Sequence, residues 1–169
     1  MKILILSDSH EHSELIVKAV KLEKPDMLIH LGDLEDSRDY VEQMAGSPKI
    51  ACVFVRGNCD YSSQGYLPAE AVFNLKGHKI YCTHGDRLNV KMGVDRLVYT
   101  AQDEGCDIAM YGHTHVPFNE FVEGSFGTPK VHVLNPGSIA LPRLPYKPSY
   151  MVMNMKDDGA YEVELKNLT

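Results

Sequence analysis

Five short polar clusters carry the side chains able to do chemistry: Asp8-Ser9-His10, Gly32-Asp33, Gly57-Asn58-Cys59-Asp60, His84-Gly85 and Gly112-His113-Thr114-His115. Mixed carboxylate, amide and imidazole donors suit borderline divalent ions such as Mn, Fe, Co, Ni or Zn. Calcium prefers an all-oxygen shell, and purely thiolate shells belong to structural zinc. Asp8, His10, Asp33, Asn58, His84, His113 and His115 are more ligands than one ion normally takes. Two ions sharing Asp33 as a bridge would use them all, and a pair roughly 3.5–4 Å apart is a recurring device for hydrolysing phosphate esters. In extended chain, residues i and i+2 point the same way, so Asp8 with His10, and His113 with His115, should each aim two side chains at the cluster. Taken singly, Asp8 could cap a helix, Asn58 could serve a turn and each histidine could sit in the core. Their joint order along the chain favours the metal site.

Each cluster stands at the end of an apolar run, which says what must position it. Lys2 to Ser7 reads as a buried strand, Asp26 to Leu31 as a second and Ile50 to Val55 as a third. Leu15, Ile16, Ala19, Val20 and Leu22 follow helical spacing from a cap at Ser13 to a stop at Pro25, and Ser37 to Ala45 predicts a short helix. The order βαβαβ implies parallel strands whose polar ends share one edge. A hairpin of Ala71 to Leu75 and Lys79 to Thr83, turned by Lys76-Gly77, begins a second sheet. A helix is expected over Val90 to Glu104, then strands through Ile108 to Tyr111, Glu120 to Val122, Lys130 to Leu134, Tyr150 to Asn154 and Tyr161 to Leu165. No repeat and no dividing linker appears, so residues 1–169 are expected to form a single domain.

The ordered blocks resemble the calcineurin-like metallophosphoesterase superfamily over nearly the whole chain. Gly57-Asn58-Cys59-Asp60 and Asn135-Pro136-Gly137-Ser138 are similar to its small bacterial and archaeal phosphodiesterase branch. The resemblance implies a four-layered α/β sandwich of two mixed β-sheets flanked by helices. It also implies that Asp8, His10, Asp33 and His115 hold one metal, Asp33 bridges, and Asn58, His84 and His113 complete the second. Manganese is favoured among Mn, Ni, Fe, Co, Zn and Mg. A metal-bridging hydroxide would attack phosphorus in line, with Asn58 both ligand and phosphate contact and Arg143 an additional substrate contact. Cys59 stands where most of the superfamily has a histidine proposed to protonate the leaving group, so it is the candidate catalytic side chain there.

Composition bounds the partners. The 169 residues are 44% hydrophobic and 24% charged, an ordinary globular balance with chain enough for a sizeable core. A formal charge of -6 and the lack of a basic path disfavour long nucleic acid. The expected partner is a small-molecule phosphate ester. No apolar run approaches the roughly 20 residues of a membrane span, and the N-terminal run breaks too early for a signal peptide, so a cytoplasmic location is expected. Cys52, Cys59, Cys82 and Cys106 form no CxxC pair, and three sit in apolar runs as small buried side chains. His12, His30, His78 and His132 read as surface or satisfied core residues. Tyr61 to Tyr66 reads as a substrate wall or an oligomer contact, and the resemblance permits a homodimer or homotetramer. The alternative function is a Vps29-like protein-binding scaffold with a vestigial metal site.

Overall fold

The computed structural model describes residues 1–46, 49–61, 66–124 and 127–169. β1 (Lys2–Leu6) alternates between two interiors: Ile3 and Ile5 face one apolar cluster, Leu4 and Leu6 another. Being apolar on both faces, it must lie inside a sheet. That sheet has the order β10-β9-β1-β2-β3, in which β1, β2 (Met27–His30) and β3 (Ala51–Phe54) run parallel and β9 (Ser149–Met155) pairs antiparallel with both β1 and β10 (Tyr161–Asn167). The crossovers are α1 (Ser13–Glu23) and α2 (Arg38–Ala45), whose Ile16, Ala19, Val20, Val41 and Ala45 cover Leu4, Leu6 and Leu28.

The second sheet has the order β4-β5-β6-β8-β7. β4 (Glu70–Leu75) and β5 (His78–Thr83) form the expected hairpin, with Lys76 and Gly77 both at positive φ as a two-residue turn requires. β6 (Ile108–Met110) and β8 (Val131–Pro136) continue in parallel, and β7 (Pro117–Val122) closes the edge. α3 (Asp95–Asp103) packs Leu97, Val98 and Ala101 on its outer face. The two sheets meet through Ile3, Ile5, Ile29, Ile80, Cys82, Ile108 and Met110, with Met151, Met153 and Met155 of β9 filling the same layer. Helices, sheet, sheet and helix make the expected four layers.

Two expectations are corrected. The helix expected from Val90 starts only at Asp95, because Gly93 leaves the helical region and residues 86–88 and 90–92 wind as short 3₁₀ turns. Val90 is buried all the same, which is why its spacing imitated a longer helix. Ser13 does not cap α1 but is its first residue, and its hydroxyl donates to Asp36 Oδ2 at 2.5 Å.

Candidate metal centre

The ends of β1, β2 and β3 in one sheet and of β5 and β6 in the other meet on a common rim. Asp8 is buried, with Oδ2 accepting from the backbone N of His113 at 3.1 Å. Its Oδ1 lies 3.1 Å from His115 Nε2 yet has no hydrogen-bond partner among the described residues. His115 Nε2 is 3.3 Å from His10 Nε2, so Asp8, His10 and His115 form one triad. On the other side, His84 Nε2 lies 3.3 Å from Asp33 Oδ2, 3.2 Å from Asn58 Oδ1 and 3.1 Å from His113 Nδ1. Asp33 Oδ2 is also 4.0 Å from His10 Nε2 and therefore faces both groups.

The loops that present these atoms are wound unusually. Asp8, His10, Asp33, His113 and His115 all have φ between 44° and 66°, the left-handed region that costs a side chain about 1–3 kcal/mol. This corrects the expectation of extended backbone. Asp8 and His10 do share a triad, but left-handed turns aim them there, and His113 and His115 diverge to opposite triads. Gly57 and Gly112 allow the loops to nest: a Cβ on Gly57 would lie 2.1 Å from Asp33 Oδ1, and one on Gly112 2.0 Å from Ser7 Oγ.

Surrounding groups set tautomers and charge. His84 Nδ1 donates to the Leu31 carbonyl at 2.7 Å and His115 Nδ1 to that of Leu141 at 2.5 Å, so each Nε2 is aimed at the rim. His10 Nδ1 is held by the Glu35 carboxylate. Burial works against a charge on His84, but the Asp33 and Asp8 carboxylates raise it to about 9. Burial likewise opposes charge on Asp33, and His84 and the Cys59 backbone N, which donates to Oδ1 at 2.8 Å, hold that carboxyl well below its usual range. Asp8 is lowered too: His115 and His84 overcome its burial. Burial, then the nearby Asp33 charge, pushes the Cys59 thiol up to about 12.

All seven residues named as metal ligands from the sequence are thus brought together. A carboxylate oxygen without a partner, facing imidazole nitrogens whose far sides are already bonded, fits a divalent cation. Cys59 lies beside the first triad, with Sγ accepting from Asn58 Nδ2 at 3.2 Å and grouped with His10 and Glu35. Arg143 is exposed on the His115 side, where its backbone N donates to the His115 carbonyl at 3.3 Å. Tyr61 and Tyr66 are exposed, but residues 62–65 of that proposed wall lie outside the described residues.

Sequence reasoning missed the residues that brace the rim. The buried Asp60 carboxylate accepts from the backbone N of Asp33 (2.9 Å), Gly57 (2.7 Å) and Glu35 (2.8 Å), tying the loops after β2 and β3 together. Asn135 Nδ2 donates to the Gly112 carbonyl at 2.9 Å, and Ser138 Oγ donates to the Asp8 carbonyl at 2.7 Å. Both belong to Asn135-Pro136-Gly137-Ser138, so the signal was present without its meaning. His30 is a satisfied core residue as expected, buried neutral between Ser9 Oγ and the Gly32 backbone N, with burial lowering its pKa to about 4.

Two packed mixed sheets presenting a double carboxylate–imidazole cluster on a shared rim define a metallophosphoesterase-like α/β sandwich. The chain belongs to the calcineurin-like phosphoesterase superfamily, whose domain model matches residues 1–158. It is 33% identical over 165 residues to YsnB of Bacillus subtilis, named a probable metallophosphoesterase, covering 95% of this chain and 88% of that one. A conserved Streptococcus pneumoniae protein described as a predicted phosphoesterase superposes with a TM-score of 0.80 at 29% identity, covering 98% and 88% of the two chains. Zn-complexed Vps29 of Entamoeba histolytica shares the fold, with a TM-score of 0.72, 20% identity and 98% of each chain covered. Membership implies a phosphoesterase that uses divalent metal. Among the described residues no helix is long and apolar enough to cross a membrane.

Proposed function

We propose that residues 1–169 form one domain, a cytoplasmic phosphodiesterase that binds two divalent ions and hydrolyses a small organic or nucleotide-like phosphodiester. The observation that carries this reading is Asp33 Oδ2, which faces His84 Nε2 at 3.3 Å and His10 Nε2 at 4.0 Å and so suits a bridge between two ions. Asp8, His10, Asp33 and His115 would hold one, and Asp33, Asn58, His84 and His113 the other, manganese being favoured. The Zn complex of the Entamoeba relative in fold supports a divalent cation. Ions in these positions would supply positive charge to the phosphate and a water nucleophile active near neutral pH.

The chain's own residues do the remaining work. Leu31, Leu141 and Glu35 keep three imidazoles turned toward the rim, so little reorganisation is needed when phosphate arrives. Asn58 Nδ2 would offer a donor to an equatorial phosphate oxygen, and Arg143 a second contact, this one cationic, from the His115 side. Cys59 offers only a weak S–H donor, so the leaving oxygen would depart with little acid assistance. The preference for a diester rests on the likeness of Gly57-Asn58-Cys59-Asp60 to the small branch. A complete ligand set favours this reading over the scaffold.

The test is hydrolysis of bis(p-nitrophenyl) phosphate and of p-nitrophenyl phosphate by metal-stripped protein given Mn, Ni, Mg or Zn, with ion stoichiometry read by calorimetry. Two ions per chain and diester cleavage lost in Asp33→Asn and His113→Ala are expected. Two bound ions without turnover of either ester would overturn the reading in favour of the scaffold.

A further inference from the structure

His10 faces two sets of metal-binding groups. Its Nε2 lies 3.3 Å from His115 Nε2 in the first triad, while its Nδ1 meets the Glu35 carboxylate. On the Glu35 side a third cluster closes: one ring nitrogen of His10, a carboxylate oxygen of Glu35 and Cys59 Sγ lie within 4.8 Å of one another. All three residues are half-buried, open enough for an ion to enter and covered enough to hold it. Cys59 is a free thiol whose backbone is pinned by the bond from its N to Asp33 Oδ1 at 2.8 Å. Its sulfur accepts from Asn58 Nδ2 at 3.2 Å, a bond that suits a thiolate. Glu35 also lines an open cleft of about 570 Å³ whose walls include Asp36 and Asp39, and Arg38 in that cleft is already paired with Glu42 at 2.8 Å. A cation therefore has an acidic approach from solvent.

We infer that His10, Glu35 and Cys59 form a separate site for a thiophilic divalent ion of the zinc class, and that filling it takes His10 away from the Asp8–His10–His115 triad. Zinc held by three protein ligands, with water in the fourth place, has bonds of about 2.0–2.3 Å and so ligand atoms about 3.3–3.8 Å apart. Rotation of the Glu35 and Cys59 side chains closes the difference. A thiolate selects zinc-like ions over manganese and magnesium, which favour oxygen, so the harder ions stay with the two triads. Neutral imidazole has one lone pair, and His10 therefore serves one ion at a time. A thiol bound to such an ion gives up its proton outright, so binding sends one proton from Sγ to the buffer and leaves the His10 ring neutral. The site does not depend on ester hydrolysis. On the phosphodiesterase reading it makes thiophilic ions inhibitors of the manganese-loaded enzyme.

Cadmium, redox-inert and coloured in the ultraviolet when bound to thiolate, is the probe. Added to the metal-stripped full chain, it should raise a thiolate-to-cadmium charge-transfer band that is absent in Cys59→Ser and retained in Cys52→Ser, which removes the other half-buried thiol. Glu35→Gln should keep the band but weaken cadmium binding tenfold or more. Added to the chain preloaded with manganese, cadmium should release one manganese ion for each thiolate bond formed, read as free manganese by electron paramagnetic resonance. Cys59→Ser should need at least tenfold more cadmium for the same release. No band in the wild type, a band surviving in Cys59→Ser with native circular dichroism, or a full band with all manganese retained would overturn the inference. No ester is present, so a chain without esterase activity leaves these results untouched. A Cys59-dependent band in a chain that takes up no manganese would support the site and count instead against the two-ion reading.

Discussion

Five of the seven residues that would hold metal sit at positive φ, so the rim keeps its backbone strained in order to bring ligand atoms from loops far apart in sequence. Glu35 on His10 and the two leucine carbonyls on His84 and His115 then remove rotational freedom from the rings. One consequence concerns protons. His84 is raised above its unfolded value of 6.5 to about 9, so its pairing with Asp33 stabilises the metal-free fold fully below pH 6.5 and is lost as pH rises through 9. An ion that takes Nε2 must displace that proton. Calorimetry in buffers of different ionisation enthalpy should therefore detect close to one extra proton released per chain at pH 7.5, and none from this source above pH 10. A second consequence concerns the leaving group. With a thiol, a weak S–H donor, in place of an imidazolium, rates over a series of aryl and alkyl diesters should fall steeply as leaving-group pKa rises. Cys59→His should flatten that slope by favouring the alkyl end, and an already shallow wild-type slope would refute the argument.

Among the elements, the loops after β2 and β3 depend on one carboxylate. Asp60→Ala would strand two buried backbone donors and a half-buried third, and at about 1–3 kcal/mol for each buried unsatisfied group the loss should be about 2 kcal/mol or more. Urea unfolding should show this loss, with Asp60→Asn losing less. Strand positions were legible in the sequence because residues such as Ile3 to Leu6 are apolar on both faces, and because polar clusters mark where those runs leave the core. The onset of α3 was not legible, since Val90 is buried at helical spacing without being helical. Seven ligand candidates were readable by residue type and order. Their left-handed backbone was not, because Asp8 or His115 carries no local mark distinguishing a strained turn from extended chain. Glu35 and Asp60 were illegible as braces for another reason: their partners come from neighbouring loops, and folding alone makes them adjacent.

At the scale of the whole molecule, the rim joins the two sheets by polar groups in addition to their shared core. Asp8, Asp33 and Asn58 come from one sheet, and His84, His113 and His115 from the other. Two ions bound between them, as proposed, would stabilise the folded chain by mass action, about 2.7 kcal/mol for each site at a hundredfold excess over Kd. For a chain of this length, two such sites correspond to roughly 10–20 °C in Tm. Scanning calorimetry before and after treatment with a chelator should show a drop of that size, and it should vanish in Asp33→Asn if Asp33 serves both ions.

The span of the rim also bears on the order of events in folding. The bond from the His113 backbone to Asp8 closes a separation of 105 residues, and that from Ser138 to Asp8 one of 130. Such contacts wait until both sheets exist, because closing long loops costs entropy that only an assembled core offsets. An ion that needs the finished rim therefore acts after the transition state. In stopped-flow experiments, added manganese should slow unfolding by orders of magnitude and leave the refolding rate within about twofold of the metal-free value. Refolding accelerated by manganese would mean that the rim assembles early. With the rate unchanged, resistance to opening would be set by how long bound ions stay in place, and the time needed to fold by the apolar layers.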